Sequence, residues 1–158
     1  KPFILLMVAT RGYLYIVRRR PTDHFYKVGW TRGDDMENGR MHFFHNFSRC
    51  ILKVRVKYPT KAEQAMLATL RITGGIYSRP EFDGETFEGN IEQIASIVLE
   101  VARMFCPHHQ EVEYGIEQIL VRNDPRGMFL VRWCYGEPTW EPYENICHTR
   151  AYKEFVGE

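Results

Sequence analysis

The chain has no long hydrophobic run. Its longest, from Phe3 to Ala9, is far too short for the roughly 20 apolar residues that a membrane-spanning helix needs. That stretch lacks a cleavage-site pattern too, so it reads as a buried strand rather than a leader, and no membrane role is expected. No CxxC spacing links the four cysteines (Cys50, Cys106, Cys134, Cys147), which points to a reducing, intracellular compartment and away from a disulfide framework. Strong net charge is missing as well: the formal balance is +1. There is no internal repeat and no low-complexity tract.

What is present is the composition of a folded soluble protein, with 44% hydrophobic and 26% charged residues over 158 positions. The near-zero balance hides an asymmetry. Residues 1–100 carry 15 Lys and Arg against 11 Asp and Glu, and residues 101–158 carry 6 against 9. A basic first part suits a polyanion, an acidic second part a basic peptide. Aromatic and β-branched residues predict a strand over Gly12–Val17, with Tyr26–Trp30 as its hairpin partner. A helix is expected around Met36–Phe44 and a third strand from Cys50 to Tyr58, where apolar and basic residues alternate. Thr60 with Glu63 forms a capping-box pattern for a helix reaching about Arg71, ended by Gly74-Gly75. Ile91–Phe105 is the strongest helix, capped by Asn90 and stopped by Pro107. Beyond it, strands are expected over Tyr114–Val121, Met128–Cys134 and Thr139–Trp140, then a polar turn at Glu144 or Asn145 and a closing helix over Arg150–Val156. The expectation is an α+β protein of two small domains, 1–105 and 112–158, joined by a linker over 106–111.

Trp133, Tyr135 and Trp140 fall within eight positions, in a segment too polar to need them all as core. Clusters of this kind surround methylated ammonium groups, because the ring quadrupole attracts a poorly hydrated cation. The motifs sharpen the point. Glu113-Tyr114-Gly115-Ile116-Glu117, then Leu130-Val131-Arg132-Trp133, then Thr139-Trp140-Glu141-Pro142 with Asn145, resemble a chromodomain over the last third of the chain. That resemblance implies a three-stranded curled sheet closed by a C-terminal helix, and a histone-tail peptide bound as an added strand. It implies Tyr114 and Trp133 as cage walls, with Glu113, Glu141 and Asn145 along the peptide. The family's third aromatic falls at Gly136 here, so Tyr135 is expected to swing in, and Glu137 to bias the cage toward a cation. Trp140, Val131 and Leu120 are expected in the core. The dimerising, shadow type of the family lacks these cage aromatics.

Tyr13-Leu14-Tyr15-Ile16, Lys27-Val28-Gly29-Trp30-Thr31, Arg40 and Glu63 resemble, in that order, the GIY-YIG nuclease superfamily of phages and large DNA viruses, over about residues 10–100. Phosphodiester hydrolysis needs an activated water, a divalent cation and cationic donors to the phosphoryl oxygens. The resemblance implies Glu63 as ligand of one Mg²⁺ or Mn²⁺, Arg40 at the phosphate and Tyr15 orienting water. Lys27 stands where the family has a tyrosine, and either stabilises charge or marks lost activity. His42 and His45 lie near Arg40 without a clean family spacing. Tyr13 and Tyr15 read equally as sheet-face tyrosines, and Glu63 as part of a cap. Cys106, His108, His109, Cys147 and His148 fit no standard structural zinc spacing.

Taken together, the two resemblances imply a chromatin-binding protein of a large DNA virus, acting in the host nucleus. Its partners would be a histone tail (methylated H3 first), the nucleosome and DNA. The reader needs no cofactor. The alternative is an endonuclease targeted to chromatin.

Overall fold

The computed structural model describes residues 12–19, 24–32, 49–105 and 112–157, and shows an α+β protein. The strand expected over Phe3–Ala9, the helix expected over Met36–Phe44, and Arg40, His42 and His45 lie outside the described residues. Two compact units divide the chain, Lys1–Glu113 and Tyr114–Glu158.

In the first unit, β1 (Gly12–Arg18) pairs antiparallel with β2 (Phe25–Thr31) on one side and with β3 (Arg49–Val56) on the other. Tyr15 lies opposite Gly29 and Lys53, and Val17 opposite Lys27. Since side chains alternate along a strand, Tyr13, Tyr15, Lys27 and Lys53 share one face. Leu14, Ile16, Val28, Leu52 and Val54 share the other, all fully buried. Two short strands, β4 (Tyr77–Ser78) and β5 (Thr86–Glu88), extend the sheet beyond β2. At its opposite edge, β6 (Val112–Tyr114) lies next to β3, giving the order β4-β5-β2-β1-β3-β6. Val112 and Glu113 of that strand belong to this unit.

Helix α1 (Pro59–Ile72) packs on β1 and β2, α2 (Ile91–Phe105) packs on β3 and β1, and the two helices pack on each other. Each buries one stripe: Ala62, Met66 and Leu70 from α1, and Ile94, Val98 and Ala102 from α2. Asn90 caps α2 as expected, its Oδ1 accepting the N–H of Glu92 at 2.8 Å. The start of α1 differs from expectation. Tyr58, not Thr60, is the N-cap, and it makes no side-chain capping bond. Pro59 takes the first helical position, where its missing N–H costs nothing. Glu63 therefore sits two residues further into the helix than a capping box requires.

The second unit is built on an antiparallel sheet in the order β7-β8-β9, formed by β7 (Ile116–Asn123), β8 (Met128–Trp133) and β9 (Thr139–Pro142). A 3₁₀ turn over Asp124–Arg126 joins the first two, with Gly127 in the left-handed conformation that the tight reversal requires. A short helix α3 (Tyr143–Ile146) replaces the expected polar turn, and α4 (Arg150–Val156) closes the unit with Thr149 as its N-cap. Ile119, Phe129, Val131, Ile146 and Ala151 form its core, with Ile116, Trp133 and Tyr152 packed against them.

Two expectations fail here, both through register. Leu120 is half-buried, because Ile119 is the residue opposite Val131 and the register shift between Ile119 and Val121 falls at Leu120 itself. Trp140 is 45% exposed rather than core. It pairs with Leu130, while the core-facing residues of β8 are its alternating neighbours Phe129 and Val131, so the indole stands on the outer face. The strand expected over Tyr114–Val121 is interrupted at Gly115.

Candidate functional site

The antiparallel register of the second unit brings its aromatic residues together. Ile116 lies opposite Trp133, and the Cys134 N–H donates to Gly115 O at 2.8 Å, carrying the ladder one step further. Continuing two residues along each chain puts Tyr114 against Tyr135. The rings stand 6.1 Å apart between centroids and 23° from parallel. Gly136 makes this possible. Its φ of 99° lies in a region that L side chains avoid, so the turn after Tyr135 would strain any aromatic placed at 136. Tyr135 thus stacks on Tyr114, which remains 41% exposed.

Trp133 is fixed from behind rather than by these rings. It packs on the core cluster, and its Nε1–H donates to Thr139 Oγ1 at 2.8 Å. Thr139 in turn donates to Glu141 Oε2 at 3.1 Å, and Asn145 Nδ2 donates to Glu141 Oε1 at 3.4 Å. The structure therefore joins Trp133, Glu141 and Asn145 in one hydrogen-bonded chain through Thr139. Thr139 and Glu141 are two apart on β9 and so share a face. That spacing was the available sequence signal for Thr139. Glu137 is exposed in the turn. Glu113 is engaged elsewhere: its carboxylate is 3.1 Å from Lys53 Nζ in the first unit.

The first unit holds Tyr15, Lys27 and Glu63. Tyr15 is 2% exposed and lies across Gly29, where a Cβ would come within 2.6 Å of its hydroxyl oxygen. Glu63 reaches the next residue, its Oε2 accepting the Trp30 N–H at 3.1 Å. Two residues earlier, the Val28 N–H is taken by Glu85 O, where the strand-to-strand bonding to the β5 side ends. Glu63 thus satisfies a β2 edge donor that β5 no longer reaches. Tyr15 and Glu63 converge on the Gly29-Trp30 step, one from the face of the sheet and one from its edge.

Lys27 is occupied differently. Only 7% exposed, its ammonium lies 2.8 Å from Asp83 and 2.9 Å from Glu85. Burial pushes the Asp83 carboxyl up, but hydrogen bonds from Lys27, the Glu85 N–H and the Thr86 hydroxyl, with the Lys27 charge, bring it below its ordinary value. Sequence reasoning missed both carboxylates, which lie in the Gly- and Pro-rich segment before the three-residue strand β5. Among the described residues, no group of three or more His, Cys, Asp or Glu is placed to hold a metal ion.

No family model matches the chain, and no curated protein or solved structure matches it either.

Proposed function

We propose that the second unit reads a methylated lysine on a histone tail. The observation that carries this reading is the Tyr114–Tyr135 pair, two near-parallel rings with Tyr114 41% exposed, two residues along the ladder from Trp133, whose indole is hydrogen-bonded to Thr139. A methylammonium gains most when a cation meets ring faces within about 6 Å of their centroids. Rings 6.1 Å apart leave too little room for a cation in contact with both, since each contact needs about 3.5–4.0 Å. The peptide-free cage is therefore closed, and binding parts the tyrosines around the methylammonium while Trp133 stays in place. The peptide main chain adds as a strand, with Glu141 and Asn145 as polar contacts and the acidic balance of residues 101–158 favouring a basic tail. The setting is chromatin in the nucleus, with DNA as a second partner of the first unit.

The test is a titration of the whole chain against trimethylated and unmodified histone H3 and H4 peptides. Trimethylation is expected to tighten binding at least several-fold, and Trp133→Ala to abolish the difference. Binding that ignores methylation would sink the reading and leave a histone- or nucleosome-contact module.

A second reading, metal-dependent DNA cleavage by the first unit, is favoured by the convergence of Tyr15 and Glu63 on Gly29-Trp30. Glu63 offers one carboxylate. That suits Mg²⁺ completed by water and substrate phosphate, which would supply charge stabilisation at the scissile group. Nicking of supercoiled DNA with Mg²⁺ or Mn²⁺ should be lost in Glu63→Gln, which keeps an acceptor for the Trp30 N–H. Equal background in both proteins would dispose of the enzyme.

A further inference from the structure

Helices α1 and α2 of the first unit pack on each other, and the outer side of that pair holds an open groove of about 430 Å³. Thr69 of α1 lines it, with Ile97, Glu100, Val101, Arg103 and Met104 of α2. Such a volume lies within the range of specific binding sites. Its floor is apolar, because the Thr69 hydroxyl is spent on its own helix, donating to Ala65 O at 2.8 Å. Met104 stands at the rim 66% exposed, and Ile72, one turn along α1 from Thr69, is 85% exposed. Large apolar side chains left in water beside an apolar hollow mark a surface shaped for a partner.

The charges at the groove select that partner. Glu100 and Arg103 are three apart on α2, a spacing at which opposite charges commonly pair, and both are exposed. They do not pair with each other, and neither side chain has a hydrogen-bond or ion-pair partner among the described residues. A rim that offers one unpaired charge of each sign is complementary to itself when turned around. We infer that a second copy of this chain docks here about a two-fold axis, with α2 crossing its counterpart in the opposite direction. Glu100 of each copy then meets Arg103 of the other, twice by symmetry, and each Met104 enters the other copy's groove beside Thr69 and Ile97. A nucleic acid or an acidic peptide would satisfy Arg103 and be repelled by Glu100, and a basic peptide the reverse. Two helices from each copy make a small contact, so the dimer is a weak one, in the micromolar range. It rests on neither function proposed above.

The experiment is sedimentation velocity on the full chain at low salt, where rim charges are least screened, from about 1 µM to about 1 mM. The wild type should pass from the mass of one chain to that of two as concentration rises. Met104→Glu, at a side chain already exposed, should hold the mass at one chain while leaving the urea unfolding curve as in the wild type. Glu100→Arg and Arg103→Glu should each weaken association about tenfold, since each sets like charges against one another at both contacts. Mixing these two variants should restore association to about the wild-type strength, because one copy then offers two cations to the other's two acids. A contact elsewhere on the molecule would not give that rescue. A single-chain mass at every concentration overturns the dimer. So does a dimer indifferent to Met104→Glu, or a pair of charge reversals that the mixture fails to rescue.

Discussion

Tyr15 and Tyr114 are both placed by antiparallel register, and they end in opposite states. Tyr15 is packed over Gly29 with its hydroxyl end against the neighbouring strand, while Tyr114 keeps much of its ring exposed beside Tyr135. The charges follow the same division. Around Tyr15, Lys27 is enclosed by two carboxylates and Glu63 is bonded to a backbone N–H. In the second unit, Thr139, Glu141 and Asn145 are hydrogen-bonded to one another and to the Trp133 indole, and the Tyr114 ring stays 41% exposed. A side chain spent on internal bonds must break them to take a ligand. An exposed ring face need not. The second unit leaves its candidate aromatic Tyr114 in reach of solvent, and the first carries Tyr15 and Lys27 within its own packing.

Removing Lys27 is the strongest way to test that contrast. Lys27→Met leaves Asp83 and Glu85 facing each other without their cation. Breaking a fully buried pair costs about 3–5 kcal/mol, and because these acids are about one-third exposed, a loss of about 2–3 kcal/mol is expected. Urea unfolding should show it in the first unit alone, with the second unit's peptide affinity unchanged. A stability loss below about 0.5 kcal/mol would mean that the enclosure of Lys27 is incidental.

Two glycines give the next comparison. At Gly29 a methyl group would press on the Tyr15 hydroxyl, so Gly29→Ala should cost about 1–3 kcal/mol of stability through overpacking. At Gly136 a methyl group meets nothing, but the φ of 99° is unfavourable for alanine, with an expected cost of about 1 kcal/mol. The readouts should differ in kind. Gly29→Ala lowers the unfolding midpoint of the first unit, whereas Gly136→Ala moves Tyr135 and weakens peptide binding beyond its effect on stability. Peptide affinity unaltered in Gly136→Ala would show that Tyr135 is not a wall.

Much of this was legible in the sequence, for identifiable reasons. Strands of seven or eight residues with regular alternation, such as β1 and β3, and an amphipathic helix with an Asn cap announce themselves locally. The outward Trp140 did not, because its direction depends on pairing with Leu130 and not on its own neighbourhood. The same holds for Lys27: nothing within ten residues of it names Asp83 or Glu85, which lie 56 and 58 positions away. Tyr135 could be anticipated because a shortened loop and a glycine constrain a tight turn. Thr139 was harder, since its importance comes from an indole six residues earlier.

Thr139 supplies a smaller test. Thr139→Val keeps the shape of the side chain but leaves the Trp133 N–H and Glu141 without their shared partner. One such bond is worth about 0.5–1.5 kcal/mol, so trimethyl-lysine peptide affinity should fall by about two- to tenfold while the fold persists. Unchanged affinity would mean that packing on the core alone holds the indole.

The smallest expected effect belongs to Asp83 and appears only in acid. Its carboxyl is held below its ordinary value, so between the folded and unfolded values, below about pH 3.9, the unfolded chain binds the additional proton. The sign follows directly: its contribution is fully present at neutral pH and is lost as the pH falls through the folded value. Asp83→Asn retains an oxygen acceptor for the Glu85 N–H and for Thr86 while removing the charge opposite Lys27. The variant should therefore be less stable than the wild type at pH 7, and the two unfolding curves should converge below about pH 3.9. Curves that stay parallel through that range would mean that the hydrogen bonds alone, and not the charge, secure the turn around Lys27.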